Sequence, residues 1–366
     1  MIKTMDVKNK EYKLITNNLG RQFWIESGDK FYEQRFSSGP YQVRNLKFAR
    51  RCYPNKPVII DIGMNIANNT IEYASWASKV YSFEPFKTTY EVGIKNIELN
   101  KPLKLTGRYT YNHETGCVTH EPTVEYGWWQ NEDGSYASRD VVAEIIPHNV
   151  GLGNKKEKVL MEDHPNNAGH NCVLTEHRKK ISKYEKREAE IEKLDNFKFE
   201  KVDFIKVDVE GFEYNVLLGG FETIKKLRPT VQLEMVESQC KKFNYKPQYI
   251  VDYFLMKIGD YVYCDYRGKD LGTKWNKLKG VMDYFFVPRE VFSKINNQSN
   301  LDKFFGNEKT PVNKYDPKVF VETKERILKA KEDNDSDKLL FELESAEINN
   351  DEGYMTEEEL DTLKKL

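Results

Sequence analysis

Four carboxylates stand where short apolar runs of the chain end. Asp61 closes VIID, Glu84 follows VYSF, Asp208 follows FIKV, and Glu234 follows TVQL. An acid in such a place projects from the carboxyl end of a strand, where an open α/β sheet binds its ligands. Gly63, in DIGMN, has no Cβ and lets the backbone pass close to a ligand. Glu84 lies roughly the ~20 residues further on that are expected of a carboxylate accepting hydrogen bonds from both hydroxyls of a ribose. No glycine run accompanies it, which points to a nucleoside without a pyrophosphate. Asp208, in KVDVEGFE, has two chemical uses: to take a proton from an attacking hydroxyl, or to hold a divalent metal such as Mg²⁺ or Mn²⁺. Glu234 is a fourth acid at the same edge and the second candidate metal ligand. Plainer readings stand beside these. Asp61 and Glu213 suit helix N-termini, and Glu84 suits an ordinary surface acid.

Six histidines, His113, His120, His148, His164, His170 and His177, fall in the middle third of the chain. No set among them has zinc-ligand spacing. His170, in HPNNAGH, is the rival candidate for the catalytic base.

The elements that must position these groups alternate. Residues 57–63, 79–83, 203–209 and 229–235 read as buried strands of a parallel sheet. Residues 41–53, 65–78, 87–100, 214–227 and 247–258 read as helices. Strand–helix alternation of this kind predicts an α/β fold with a doubly wound, mostly parallel sheet. Residues 1–50 read as a β-rich extension and a helix, 51–294 as the main domain, and 295–366 as a charged helical tail without a compact apolar face. Residues 103–143, with Tyr126, Trp128 and Trp129, read as an insertion, and 175–201 as an exposed helix and loop.

Composition removes several classes. The 57 basic and 58 acidic side chains leave a net charge of -1, so no global basic field steers the chain to nucleic acid. The cysteines (Cys52, Cys117, Cys172, Cys240, Cys264) show no CxxC pair, against both a zinc knuckle and a disulfide framework. Reduced thiols, and an N-terminus without a signal-peptide core, predict a cytoplasmic protein, of a bacterium or of a virus-infected cell. No run of about 18 apolar residues occurs, so no membrane span is expected.

The ordered blocks IIDIGMN, VYSFEP, HNVGLGN, the Asn167–Gly169 turn, FIKVDVEGFEYNVLLGG, RPTVQLEM and DYFFVP together resemble the FkbM family of methyltransferases, a branch of the class I Rossmann-like enzymes. The resemblance spans roughly residues 57–288. It implies a Rossmann-like sheet, S-adenosylmethionine as cofactor, and methylation of an oxygen, most often a sugar or glycan hydroxyl. Asp61, Gly63 and Asn65 match the family's cofactor motif, Glu84 its ribose-binding acid, and Asn149 its adenine-side position. Asp208, Glu210 and Gly211 match the block at the active-site edge. The sequence departs from the pattern at Met64, where the family has alanine, and at Ala67, where it has glycine. Met64 is expected to crowd the methionine end of the cofactor.

Two rival functions remain at this point. An RNA or cap ribose 2′-O-methyltransferase is suggested by Lys206, Asp208 and Glu234, although mid-strand Lys206 is expected to face away from the pocket. A non-catalytic binding module is suggested by Met64 and Ala67, with the tail as a segment for self-association or partner binding.

Overall fold

The computed structural model describes residues 4–7, 10–17, 21–29, 32, 42–100, 108–111, 118–121, 143–164, 169, 171–278 and 281–295, with scattered helical positions between 321 and 331 and at 362–365. The chain opens with strands β1 (Thr4–Val7), β2 (Lys10–Thr16) and β3 (Gln22–Glu26), an antiparallel sheet in that order. Helix α1 (Val43–Cys52) leads to β4 (Val58–Ile62), α2 (Asn68–Ala74), β5 (Lys79–Phe83) and α3 (Lys87–Leu99). Strands β6 (Arg108–Tyr111) and β7 (Val118–Glu121) pair antiparallel within the expected insertion. Tyr126, Trp128 and Trp129 lie outside the described residues.

Then come β8 (Glu144–His148), β9 (Gly151–Leu152), β10 (Glu157–Asp163), α4 (Glu176–Ile181) and β11 (Glu185–Glu192). The chain continues through β12 (Phe204–Val207), α5 (Glu213–Gly219), α6 (Phe221–Leu227), β13 (Thr230–Glu234), α7 (Glu237–Lys242) and α8 (Pro247–Asp252). A π-helical turn (Tyr253–Ile258), β14 (Tyr261–Cys264), β15 (Asp283–Pro288) and α9 (Arg289–Ile295) follow.

The central sheet has seven strands in the order β14-β15-β13-β12-β4-β5-β8. Five of them, from β13 to β8, run parallel, and β15 is antiparallel to both of its neighbours. The chain winds outward from β4 to β8, then returns to β12 and winds the other way. β4 and β12 are therefore the pair where strand order reverses, and the crevice beyond their carboxyl ends is the place for a ligand.

Both faces of the sheet are covered. Ile60, Ile62, Ile205, Val207 and Leu233 pack into one core with α5, α6 and the π-helical turn. Ile59, Phe204 and Phe285 pack on the other side with Phe48, Tyr73 and Trp76. A third core joins the N-terminal sheet to the main domain, through Phe23 and Ile25 against Ile66, Ile71, Val92 and Ile97. Two α3 amides finish this joint. Asn96 accepts from Trp24 N at 2.7 Å and donates to Ile66 O at 3.0 Å, and Asn100 donates to Gln22 O at 2.8 Å. Side chains four apart on one helix face thus pair with the edge of β3.

Several sequence expectations need correction. The helix expected over 65–78 is only Asn68–Ala74, because Asn65 and Ala67 have left-handed backbones (φ 51° and 69°). The helix expected over 214–227 breaks at Gly219-Gly220. A Cβ on Gly219 would lie 1.8 Å from Gly153 O, so the helix bends where it meets the loop after β9. The loop expected within 175–201 contains β11, paired antiparallel with β10. Its charged side chains conceal a period of two, with Ala189 and Ile191 turned inward. The tail is not without apolar anchors, since Ile327 and Leu363 are fully buried. No described helix is long and apolar enough to cross a membrane.

Candidate functional site

Residues from β4, β5, β12 and β13 meet in one cleft at the strand-reversal point. Gly63, Asn65, Glu84, Lys206, Asp208 and Glu234 all line it, and its empty space, mouth included, is about 1230 Å³.

Gly63 is required by the protein as much as by any ligand. Its φ is +83°, and a Cβ there would lie 1.9 Å from Asp208 O, so the β4 and β12 loops touch backbone to backbone. Gly63 N and Met64 N both donate to Phe83 O, at 3.0 and 2.9 Å. Asn65 N donates to Glu84 Oε2 and Phe86 N to Glu84 Oε1, each at 2.9 Å. Two backbone donors therefore lock the orientation of the Glu84 carboxylate, while lone pairs remain for ribose hydroxyls. Burial pushes the Glu84 pKa up to about 7, against the pull of those two donors.

The other expected cofactor residues play supporting parts. Asp61 is fully buried behind the cleft, where Thr70 Oγ1 donates to Oδ2 at 2.6 Å. Asn149 spends its amide on Glu84 O (2.9 Å) and Pro85 O (3.3 Å), fixing the end of β5. Met64 lines the cleft, but the bulk of its side chain is accommodated at Gly93 of α3. A Cβ on Gly93 would lie 2.7 Å from Met64 Cε. His170 lies outside the described residues.

Lys206 does not face away from the pocket. Strand register places Asp61, Lys206 and Gln232 side by side across β4, β12 and β13, with Ser82 of β5 next to Asp61. All four are at most 2 % exposed, forming a polar row through an otherwise apolar sheet. Lys206 Nζ lies 3.1 Å from Asp208 Oδ2 and 3.6 Å from Asp61 Oδ1. Burial pulls the ammonium pKa down, but the Asp208 and Asp61 carboxylates more than offset this, and it stands raised. Lys206 is a buried cation paired to Asp208 and Asp61 at the floor of the site.

Beyond β12 the chain turns sharply through Val209-Glu210-Gly211. Glu210 has φ +57° and Gly211 φ +102°. The turn is clamped by Glu213, which accepts from Val209 N at 3.1 Å and Gly211 N at 3.0 Å. Tyr245 Oη lies 3.0 Å from both Gly211 O and Glu213 Oε2. Glu213 thus opens α5 as an acid in its first turn, but its carboxylate clamps the preceding turn; the N-cap is Phe212, without a side-chain cap bond. Glu234 is 7 % exposed. Burial, then Asp208 and Glu210, raise its pKa well above the usual carboxylate range.

Sequence reasoning missed several contributors to the cleft, among them Tyr32, Val173 and Ile191. Tyr32 comes from the N-terminal extension, and Val173 and Ile191 come from the region of the β10–β11 sheet. The alternation hidden in β11 was the only available signal, and it served Ile191 alone.

The methyltransferase FkbM domain model matches residues 61–267, more than half of the chain. No curated protein matches in sequence. Among solved structures, the methyltransferase FkbM from Methylobacillus flagellatus KT is 14% identical, over 63% of this chain and 43% of that one, with a TM-score of 0.33. This chain therefore spans under half the length of that protein. An rRNA methylase from Streptococcus thermophilus is 9% identical over 68% of this chain and 95% of its own, with a TM-score of 0.32. A dimethyladenosine transferase from Plasmodium falciparum is 9% identical over 87% and 93%, with a TM-score of 0.29. Overlays this loose carry no argument. The domain match does, and the chain belongs to the FkbM methyltransferase family.

Proposed function

We propose that this chain transfers a methyl group from S-adenosylmethionine to an oxygen nucleophile, a hydroxyl of a sugar or glycan. One observation carries the reading: a carboxylate oriented by two backbone donors, Glu84, shares a cleft with Asp208 across the strand-reversal point. Glu84 accepts the ribose hydroxyls, and the 63–65 loop passes close to the cofactor, with Asn149 holding the end of β5. S-adenosylmethionine supplies an already activated methyl group, so the residues need mainly to align the acceptor and exclude water. Asp208 accepts a hydrogen bond from the attacking hydroxyl and takes its proton, with His170 as the other candidate base. Lys206 holds Asp208 in place.

A second reading, methylation of an RNA ribose 2′-oxygen, gains from the convergence of Lys206, Asp208 and Glu234 in the cleft. The charge there weighs against it. Among the described residues four carboxylates and one ammonium line the cleft, a poor surface for a polyanion. The third reading, a binding module without catalysis, loses much of the support expected from Met64, whose side chain is accommodated at Gly93. Self-association or partner binding is assigned to the tail, anchored at Ile327 and Leu363, and the protein is placed in the cytoplasm.

The test is incubation with isotopically labelled S-adenosylmethionine and a panel of glycans and RNAs, followed by product mass. The expected result is one methyl group added to a glycan hydroxyl. Label on RNA alone would transfer the assignment to the second reading. Absence of cofactor binding in calorimetry would leave the binding module.

A further inference from the structure

The acceptor side of the cleft carries more negative charge than its own cation balances. One carboxylate oxygen from each of Asp208, Glu210 and Glu234 lies within 4.8 Å of the other two. Among the described residues, Lys206 is the single cationic side chain lining the cleft, and it is engaged on the Asp61 side of Asp208. Glu234 is 7 % exposed, and its Oε2 has no hydrogen-bond partner among the described residues. A buried carboxylate oxygen without a donor costs more than an apolar residue in the same place would.

The backbone is also committed to this arrangement. Glu210 sits at φ +57°, a left-handed conformation that is unfavourable for a residue bearing a side chain. Its carboxylate accepts from Gln239 Nε2 at 2.6 Å, and Glu213 and Tyr245 fix the turn from below. Strain of this kind persists only where the surroundings enforce it, and it gathers at functional sites.

We infer that Asp208, Glu210 and Glu234 bind one divalent cation of the hard, oxygen-seeking class, Mg²⁺ or Mn²⁺, on the acceptor side of the cleft. The donor set is oxygen only, with neither thiolate nor imidazole, as such ions require. Oxygens bound at about 2.1 Å lie at most about 4.2 Å apart across an ion, so the set needs only a small contraction. The ion would place positive charge against the acceptor oxygen and ease the loss of its proton. The purpose of the site rests on the methyl-transfer reading, whereas the binding of the ion does not.

The experiment is a titration of the 366-residue chain with Mn²⁺, followed by the loss of the free-ion paramagnetic resonance signal, with and without S-adenosylmethionine. One bound ion per chain is expected, with Glu234→Gln and Glu210→Gln each weakening it by about tenfold or more while the melting curve stays cooperative. Glu210, on the less buried side, keeps the test open should Glu234→Gln fail to fold. Failure to bind Mn²⁺ at about millimolar concentration, the weak end of the range for carboxylate sites, overturns the inference. Binding that survives both substitutions unchanged overturns it as well. In either case methyl transfer still stands if the cofactor binds, and the Glu234 carboxylate is left for an amine on the acceptor. A chain that holds Mn²⁺ but not S-adenosylmethionine keeps the cation site and removes the methyl-transfer reading.

Discussion

Glu84 and Glu234 both end strands of the same sheet at the same edge, and the protein treats them in opposite ways. Each oxygen of Glu84 receives a backbone N–H at 2.9 Å. Glu234 Oε2 receives no donor among the described residues, although the residue is equally buried. The β4–β5 half is finished before any ligand arrives, with its polar atoms satisfied by local backbone. The β12–β13 half is left incomplete, with a strained turn at Glu210 and carboxylates crowded near one another. A nucleoside cofactor meets a preorganised surface, which reduces the cost of binding. The reacting side keeps its charge for the partner that the chemistry brings.

The sharpest test of this contrast is Asp208→Asn. Turnover on the identified acceptor should fall by about 10²–10⁴, the range for a lost general base. Calorimetric affinity for S-adenosylmethionine should stay within about threefold, because Asp208 is not on the half that holds the ribose. Loss of both together would mean that the two halves are not separable.

Next in size is Lys206→Met. Removing one partner of a buried ion pair costs about 3–5 kcal/mol, and both Asp61 and Asp208 lose their cation. Denaturant melts should show that loss. A change below about 1 kcal/mol, as for exposed pairs, would mean that the carboxylates take up protons instead.

Glu84→Ala should weaken cofactor binding by about 1.5–3 kcal/mol, the scale of hydrogen bonds to a charged group. The same residue predicts a pH signature. Its folded pKa of about 7 lies above the ordinary 4.5, so the folded state holds the proton more tightly. Its stabilising contribution is complete below pH 4.5 and is lost as pH rises through about 7. Ribose hydroxyls favour the ionised form, so cofactor affinity should move the other way and rise about tenfold from about pH 6 to pH 8. Glu84→Gln should flatten the affinity curve. A wild-type curve that is already flat would place the ribose elsewhere.

The smallest expected effect is Ala67→Gly. The alanine has φ 69°, and relief of that strain exceeds the extra chain entropy of glycine by about 0.5–1 kcal/mol. Thermal melts should move upward by a degree or more, and a downward shift would show that the Ala67 methyl packs too well to lose.

The carboxylates of the site were legible because each ends an apolar run, a pattern that needs only local sequence. The strand Lys79–Phe83 was legible to the residue for the same reason. What stayed hidden depends on partners far along the chain. Lys206 was expected to face away, since nothing in FIKV shows that Asp61 stands beside it in register. Glu210 matched the family block, but its approach to Glu234 is a product of the clamped turn. In β11, alternating glutamates and lysines obscured the two inward residues, and Tyr32 carried no local signal at all.

The pairing of β4 with β12 has a further consequence, for chain entropy. The hydrogen bond from Val58 N to Asp203 Oδ2, at 2.7 Å, joins residues 145 positions apart. The loop so closed contains β5, β8 and everything between them. Closure entropy grows only with the logarithm of loop length, so deleting roughly forty residues between α3 and β8 would change its cost by only about 0.3 kcal/mol. The site is thus nearly indifferent to the length of chain it encloses, and that stretch can change size without disturbing the two strands that meet at Gly63 and Asp208.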